Sequence, residues 1–162
     1  MSEKRNPPQP ISPPQPISPP ILPLFKLKKK KKGEFFMGAG VMITCKNKVL
    51  ILQRNNDKKF PDSWNCPGGS AEKGETPYQT AIREINEEIL NIPKELKIIN
   101  HKETKAYVLF HGVLEHEFTP VINSESKNWK WVELNEVFDY DLHPKDKFPM
   151  VSLLFKNLKN KQ

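Results

Sequence analysis

The sequence predicts an α/β fold in which helices pack on a mixed β-sheet, preceded by an extended segment rich in proline and lysine. Three observations carry this. Runs with the two-residue period of strands and runs with helical period interleave along the chain instead of segregating into halves. A glycine-bearing turn, Pro67-Gly68-Gly69, leads directly into a strongly capped amphipathic segment. The composition also shifts near residue 33, so that 1–33 reads as a tail and 34–160 as one domain, long enough to bury a real core.

The tail comes first. Nine of the chain's 16 prolines precede Lys26, within the imperfect repeat Pro-Pro-Gln-Pro-Ile-Ser, which favours extended polyproline conformation over a packed core. Its PxxP spacing suits an SH3-type or WW-type partner, and Ser12-Pro13 and Ser18-Pro19 suit proline-directed phosphorylation; a solvated extension without a dedicated partner is the plainer reading. Residues 1–32 hold eight of the 26 basic residues and one of the 19 acids, so the net charge of +7 belongs to this segment and the remainder is neutral. The run Lys28 to Lys32 would attract RNA, an anionic membrane or a nuclear-import receptor without selecting among them. Cys45 and Cys66 are the only cysteines, and there is neither an apolar signal region nor an apolar run of membrane-spanning length. That pattern predicts a reducing, cytoplasmic setting, with the lysine run also suiting the nucleus.

The domain begins with a hairpin. Gly38 to Cys45 and Val49 to Arg54 are β-prone and joined by Lys46-Asn47-Lys48. Arg54 ends its strand where a polar loop, Asn55 to Ser63, begins; it is a candidate for a substrate phosphate or base, or a structural ion-pair partner. Thr76 supplies an N-cap hydroxyl, Pro77 fits the first helical position and Gln79 completes a capping box. Tyr78, Ala81, Ile82, Ile85 and Ile89 then form one apolar face, and Pro93 forbids much continuation. Leu96 to Lys102 and Ala106 to Phe118 read as strands, Thr119 to Asn128 as a loop, Trp129 to Val132 as a short strand, Glu133 to Val137 as a turn of helix, and Phe148 to Leu158 as a closing helix.

Glu84, Glu87 and Glu88 fall at i, i+3 and i+4 beside the apolar face, with Glu75 near the helix entry. Like charges at this spacing repel by a few tenths of a kcal/mol per pair on an open surface, and by more when partly buried. A solvated acidic face is the plain explanation of three glutamates alone. A hard-oxygen cluster without His or Cys otherwise suits Mg2+ or Mn2+ and not zinc, and the side-chain-free backbone at Gly68 and Gly69 can approach an ion or a phosphate closely.

The pattern extends beyond the glutamates. Gly69, five residues, Glu75, seven residues, then Arg83-Glu84-Ile85-Asn86-Glu87-Glu88 resembles the Nudix box, G-x5-E-x7-R-E-U-x-E-E-x-G-U with U apolar. Its six fixed letters would coincide by chance below about once in ten million starting positions. Trp64, Pro67, Gly68 and Gly74 also look like the family. The departure lies at the end, where Leu90 and Asn91 replace a glycine and an apolar residue; Asn91 in left-handed conformation would close the helix one residue late.

The resemblance covers about Phe35 to Leu158 and implies a Nudix-like α/β/α sandwich with the box as a loop–helix–loop. It implies metal-dependent attack of water on a diphosphate linkage in a nucleotide-type substrate. The implied metal ligands are Glu84, Glu87, Glu88 and a backbone carbonyl near Gly68, with Glu84 or Glu87 also orienting or deprotonating water. Gly69, Glu75 and Arg83 match positions that shape the box, Arg83 and Glu75 as an internal pair. A further base from a later loop is expected in some members, and Glu115, Glu117 and Glu125 are the candidates here. Tyr107 stands where an aromatic stacks a base in diadenosine polyphosphate hydrolases of the family, although a strand tyrosine also serves as plain packing. Trp64 and Trp131 read as core or rim residues, and the four histidines lack metal-ligand spacing. Substrate class stays open among noncanonical nucleoside triphosphates, dinucleoside polyphosphates and RNA 5′ ends. The rival from another class is a nucleotide-binding protein that keeps the fold without turnover; the repulsive glutamate cluster argues against it, since a binder has no need of one.

Overall fold

The computed structural model describes residues 36–159, with side chains described through residue 155. The expectations for the tail, 1–33, lie outside the described residues. The sheet runs through seven strands, β1 (Gly38–Cys45), β2 (Lys48–Arg54), β3 (Trp64–Asn65), β4 (Gly68–Ser70), β5 (Lys97–Glu103), β6 (Tyr107–Leu114) and β7 (Ser126–Glu133). Its path is β3-β2-β1-β6-β5, with β4 added to β1 and β7 to β2. β1 and β6 run parallel in register from Gly38–Tyr107 to Cys45–Leu114, and the other pairs are antiparallel, so the sheet is mixed.

β1 is buried along its whole length because both faces of the sheet are covered. The helix α1 (Pro77–Glu88) covers one face. Its Tyr78, Ala81, Ile82 and Ile85 pack with Ala39, Val41 and Ile43 of β1 and Val108 and Phe110 of β6. The alternate residues, Met42 of β1 and Tyr107 and Leu109 of β6, meet Met150, Leu153 and Leu154 of α2 (Pro144–Lys159) on the other face. Two-residue alternation in the strands thus feeds two separate cores, giving three layers, α/β/α. No helix among the described residues is long and apolar enough to cross a membrane.

Several boundaries differ from the sequence expectation. α1 stops at Glu88, and Ile89 is already extended at φ −125° and ψ 106°. Asn91 does not take the left-handed conformation; among described non-glycine residues only Lys46, Phe60 and Asp62 do. A loop strand replaces the missing glycine. Asn123 donates its backbone N–H to Glu88 O at 3.0 Å and its amide to Glu87 O at 3.0 Å, while Leu90 N–H reaches Val121 O at 2.8 Å. These bonds satisfy carbonyls that a left-handed cap would otherwise have covered. β7 begins at Ser126, three residues earlier than expected, because pairing with β2 from Ser126–Arg54 to Glu133–Lys48 outweighs the weak strand propensity of Asn128 and Lys127. The expected turn of helix at 133–137 is a 3₁₀ turn at Val137–Asp139. α2 starts at Pro144, before Phe148, since its first turn carries polar residues that no apolar period reveals and Pro149 is accommodated near its beginning.

Candidate active site

The site forms where β1, β4 and the second half of α1 meet. The Thr76 capping box fixes the entry of α1: Gln79 N–H donates to Thr76 Oγ1 at 3.1 Å, and Thr76 N–H to Gln79 Oε1 at 3.0 Å. This orientation brings the glutamate edge of α1 against the glycine turn. A Cβ built on Gly69 would lie 2.5 Å from the Glu84 carboxyl carbon, so only glycine lets that carboxylate rest on the backbone.

Arg83 sits at the centre of this edge. Its Nε and Nη2 donate to the two oxygens of Glu75 at 2.9 Å each, Nη2 also to Ser70 O at 2.9 Å, and Nη1 to Glu84 Oε1 at 2.9 Å. Longer bonds from Nη1 reach both oxygens of Glu87 at 3.3 Å. The guanidinium fork therefore ties the turn, the helix entry and two glutamates together. Hydrogen bonding to Arg83 holds the Glu75 carboxyl down at about 2, and the Arg83 guanidinium is in turn pushed above its ordinary value.

Glu88 is different. It is 3 % exposed, and its Oε2 accepts the Gly68 N–H. Burial pushes its carboxyl up to about 8, against the lowering influence of Lys145 and the Gly68 N–H, with Glu125 and Glu84 adding to the rise. Glu84 is likewise raised, first by burial, although Arg83 opposes it. The three glutamates do not converge on one point: Glu84 and Glu87 lean on Arg83, and Glu88 on Gly68. Among the described residues no three His, Cys, Asp or Glu side chains form a ready metal cage. The donor set nevertheless fits a hard divalent cation. Glu84, Glu88, Glu125 and the Gly68 backbone line one cleft; burial raises both Glu84 and Glu88, Glu125 adds to the rise at each, and a cation would offset both effects.

That cleft is about 640 Å³ in volume. Arg54, Lys58, Lys59 and Lys145 line it together with the carboxylates, and Phe60 and Met37 add apolar surface. Arg54 donates Nε to Lys59 O at 2.7 Å, which orders the loop following β2. Of the three candidate late acids, Glu125 alone lines the cleft, 3.8 Å from Lys58 Nζ; Glu117 pairs instead with Lys48 at 3.6 Å. Asn123 Oδ1 accepts the Glu125 N–H at 3.0 Å, so the strap that closes α1 also places Glu125.

Tyr107 borders the cleft with only 9 % of its surface exposed, and Lys145 Nζ stands 5.3 Å from its ring centroid. A base has little of that ring to stack on. Trp64 is core at 8 % exposure, and Trp131 packs on the α1-side core. His111 is buried, exchanging a 2.7 Å hydrogen bond with Thr44.

Sequence reasoning missed the first turn of α2. Asp146 is fully buried, accepts the Cys66 N–H on Oδ2 at 3.1 Å, and is pushed by burial up to about 6. Lys145 beside it is the cation that opposes the rise at both Asp146 and Glu88. His143 followed by Pro144, with an acid in the ensuing turn, was the available start signal.

Fold and cleft define an α/β/α class in which a loop–helix unit presents glutamates to a nucleotide-sized cleft. Residues 35–154 match the NUDIX domain, and the chain belongs to that family. It is 34% identical over 84 residues to the dihydroneopterin triphosphate diphosphatase of Escherichia coli K12, covering 51% of this chain and 53% of that protein. It is 34% identical over 109 residues to a putative 8-oxo-dGTP diphosphatase 3 of Mycobacterium tuberculosis, covering 59% and 49%. The chain thus spans about half the length of these relatives. Among solved structures, the Nudix hydrolase RenU of M. smegmatis shares the fold with a TM-score of 0.68 at 22% identity, over 76% of this chain and 86% of that one.

Proposed function

We propose that the chain hydrolyses a diphosphate linkage in a small nucleotide-type substrate, a noncanonical nucleoside triphosphate or a dinucleoside polyphosphate, with Mg2+ or Mn2+. The observation that carries this is the mixed lining of the cleft: the carboxylates of Glu84, Glu88 and Glu125 together with the cations of Arg54, Lys58, Lys59 and Lys145. A polyphosphate bound there would set its negative charge against the cations and bring its scissile phosphorus to the carboxylates.

Glu84, Glu87, Glu88 and the Gly68 carbonyl would hold the metal. A divalent ion bound there supplies acidified water and offsets charge on the phosphate oxygens. Glu84 or Glu87, freed from Arg83 by a modest rotation, orients that water, and Glu125 accepts a proton from the loop side. Arg83, bound to Glu75 and Ser70, keeps the helix edge at a fixed distance from the turn and does not touch substrate. Arg54 and Lys145 hold phosphates, and Phe60 with Met37 offers apolar surface to the base. The names of both relatives above, which specify triphosphate-bearing compounds, support the same reading.

A second reading, an RNA 5′-end pyrophosphohydrolase, is favoured by one observation. Met37 lines the cleft, so the lysine run ending at Lys32 joins the chain five residues from the cleft mouth.

The test is release of phosphate and pyrophosphate from canonical and oxidised nucleoside triphosphates, dinucleoside polyphosphates and triphosphorylated RNA, with either metal, beside Glu88→Gln. Turnover of one class, lowered by about 100-fold or more in Glu88→Gln while the protein stays folded, is the expected result. RNA turnover that falls steeply with salt would transfer the proposal to the second reading. A folded protein that binds nucleotide and cleaves none of the panel would leave the family's fold without its hydrolysis.

A further inference from the structure

The turn Cys66-Pro67-Gly68 is held by two helices on opposite faces of the sheet. Gly68 N–H goes to Glu88 Oε2 of α1 at 2.5 Å, Cys66 N–H goes to Asp146 Oδ2 of α2 at 3.1 Å, and Pro67 has no N–H to place. Pro67 O accepts Val41 N–H at 2.9 Å. Beside these bonds, buried side-chain atoms next to the turn are left over. Asp146 Oδ1 and the Tyr107 hydroxyl are both buried without a hydrogen-bond partner among the described residues, as is Asn65 Oδ1 next to Cys66.

Asp146 Oδ1 and the Tyr107 hydroxyl belong to one neighbourhood. A Cβ on Gly40 or on Gly68 would come within 2.4 Å of the Tyr107 hydroxyl oxygen, so the phenol reaches between β1 and the turn through space that two glycines leave open. Asp146 is the charge that acts most strongly on that phenol, ahead of Cys66, Glu88 and Glu84. Burial first, and then these acids, push the phenol up, so it keeps its proton and stands as a donor facing acceptors. A buried hydroxyl or carboxylate oxygen without a partner costs about 1–3 kcal/mol, and sites of this polarity take an internal water. Lys145, which adjoins Tyr107, is the cation that offsets both Asp146 and Glu88.

We propose that Tyr107 and Asp146 form a latch on the glycine turn: Tyr107 donates its O–H to one internal water, that water donates to Asp146 Oδ1, and Asp146 Oδ2 holds the Cys66 N–H. Both are positioning residues, since neither faces the reacting atoms. The latch sets where the Gly68 carbonyl stands relative to Glu88, and a displacement of about 1 Å there is enough to spoil the geometry. It rests on the reading of Gly68 and Glu88 as metal-side groups. Outer partners of this kind change metal affinity by about 10–100-fold when removed.

The test uses the full chain without nucleotide: Mn2+ affinity by electron paramagnetic resonance, and amide exchange at Cys66 and Gly68, in Tyr107→Phe, Asp146→Asn and the double variant. Tyr107→Phe removes one oxygen and keeps the ring, so packing alone predicts no change in either readout. The latch predicts Mn2+ affinity about tenfold weaker in each single variant, faster exchange at Cys66, and a double variant no weaker than the poorer single by more than about twofold. Losses that multiply in the double variant, or a Tyr107→Phe protein with parental affinity and exchange, would overturn it. Where Asp146→Asn fails to fold, Tyr107→Phe decides by itself. A parent chain that binds no Mn2+, or binds it equally well in Glu88→Gln, refutes the metal-site reading, and Cys66 exchange in Tyr107→Phe then still decides the latch.

Discussion

α1 and α2 reach the same turn with the same kind of bond, a carboxylate on a backbone N–H, yet the electrostatics behind the two bonds differ. On the motif edge of α1, Arg83 is 22% exposed and meets Glu75, Glu84 and Glu87 with its own donors, so the local acids are neutralised within one helix and its entry loop. At Glu88 and Asp146 the carboxylates are buried with no ion pair, and only Lys145 stands near both. One half of the turn's support is self-sufficient. The other is buried without an ion pair among the described residues, and its Glu88 lines the cleft. The division separates acids tied to one guanidinium fork from a buried pair that has no such partner.

The largest expected effect comes from breaking the frame. Arg83→Ala would leave Glu75 and Glu84, 15% and 12% exposed, with no counter-charge, and we expect about 2 kcal/mol of lost stability in urea unfolding. Arg83→Lys should recover little, because one ammonium cannot supply Nε and Nη2 to Glu75 while Nη1 serves Glu84. Full recovery by lysine would mean the network is a matter of net charge and not of the fork, and the contrast between the two halves would weaken accordingly.

The reactive half can be titrated. Burial pushes Glu88 up to about 8 and Asp146 up to about 6, whereas burial holds His111 and His143 down at about 4. An acid raised in the folded state gives stability that is present below its unfolded value and is lost as pH rises through the folded one. A histidine held down does the reverse, losing its contribution as pH falls below about 6.5. The two effects oppose each other from about pH 4.5 to 6.5. Above that only Glu88 is still changing, facing Lys145, Glu125, Glu84 and the Gly68 N–H. Unfolding free energy of the metal-free protein should therefore fall by about 1.5 kcal/mol between pH 6.5 and 8. Glu88→Gln should flatten the curve, and added Mg2+ or Mn2+ should stabilise most at the alkaline end. A slope that persists in Glu88→Gln would assign the titration to another group.

The contrast also explains how much could be read in advance. The frame was legible because its partners lie within one helix and its cap: Thr76 with Gln79, Glu75 with Arg83 eight positions on, and apolar residues at helical period. Helices on a mixed sheet followed from the same periodicities, and the three-layer arrangement from the resemblance of the box. The remainder depends on pairs far apart in sequence. Cys66 and Asp146 are 80 positions apart, and Asn123 reaches Glu87 across 36. The end of α1 was misjudged because a local cap was expected at Asn91 where a distant loop does the capping. The first turn of α2 was missed because its residues are chosen for a polar cleft, and periodicity reports only what faces a core.

The smallest effect separates frame from site most sharply. Thr76 caps α1 eight residues before Glu84, and its hydroxyl accepts only the Gln79 N–H. Thr76→Ala removes one side of the capping box and leaves Arg83, the glutamates and the turn untouched. We expect a loss of about 1 kcal/mol in unfolding free energy, as for other hydroxyl caps. Serine should restore it, since only the hydroxyl is required. Mn2+ affinity should match the parent, because the position of Glu88 is set by Gly68 and that of Glu84 by Arg83, not by the first turn. Affinity falling together with stability in Thr76→Ala would show that the helix moves as one body with its cap, and that frame and reactive half are a single cooperative unit.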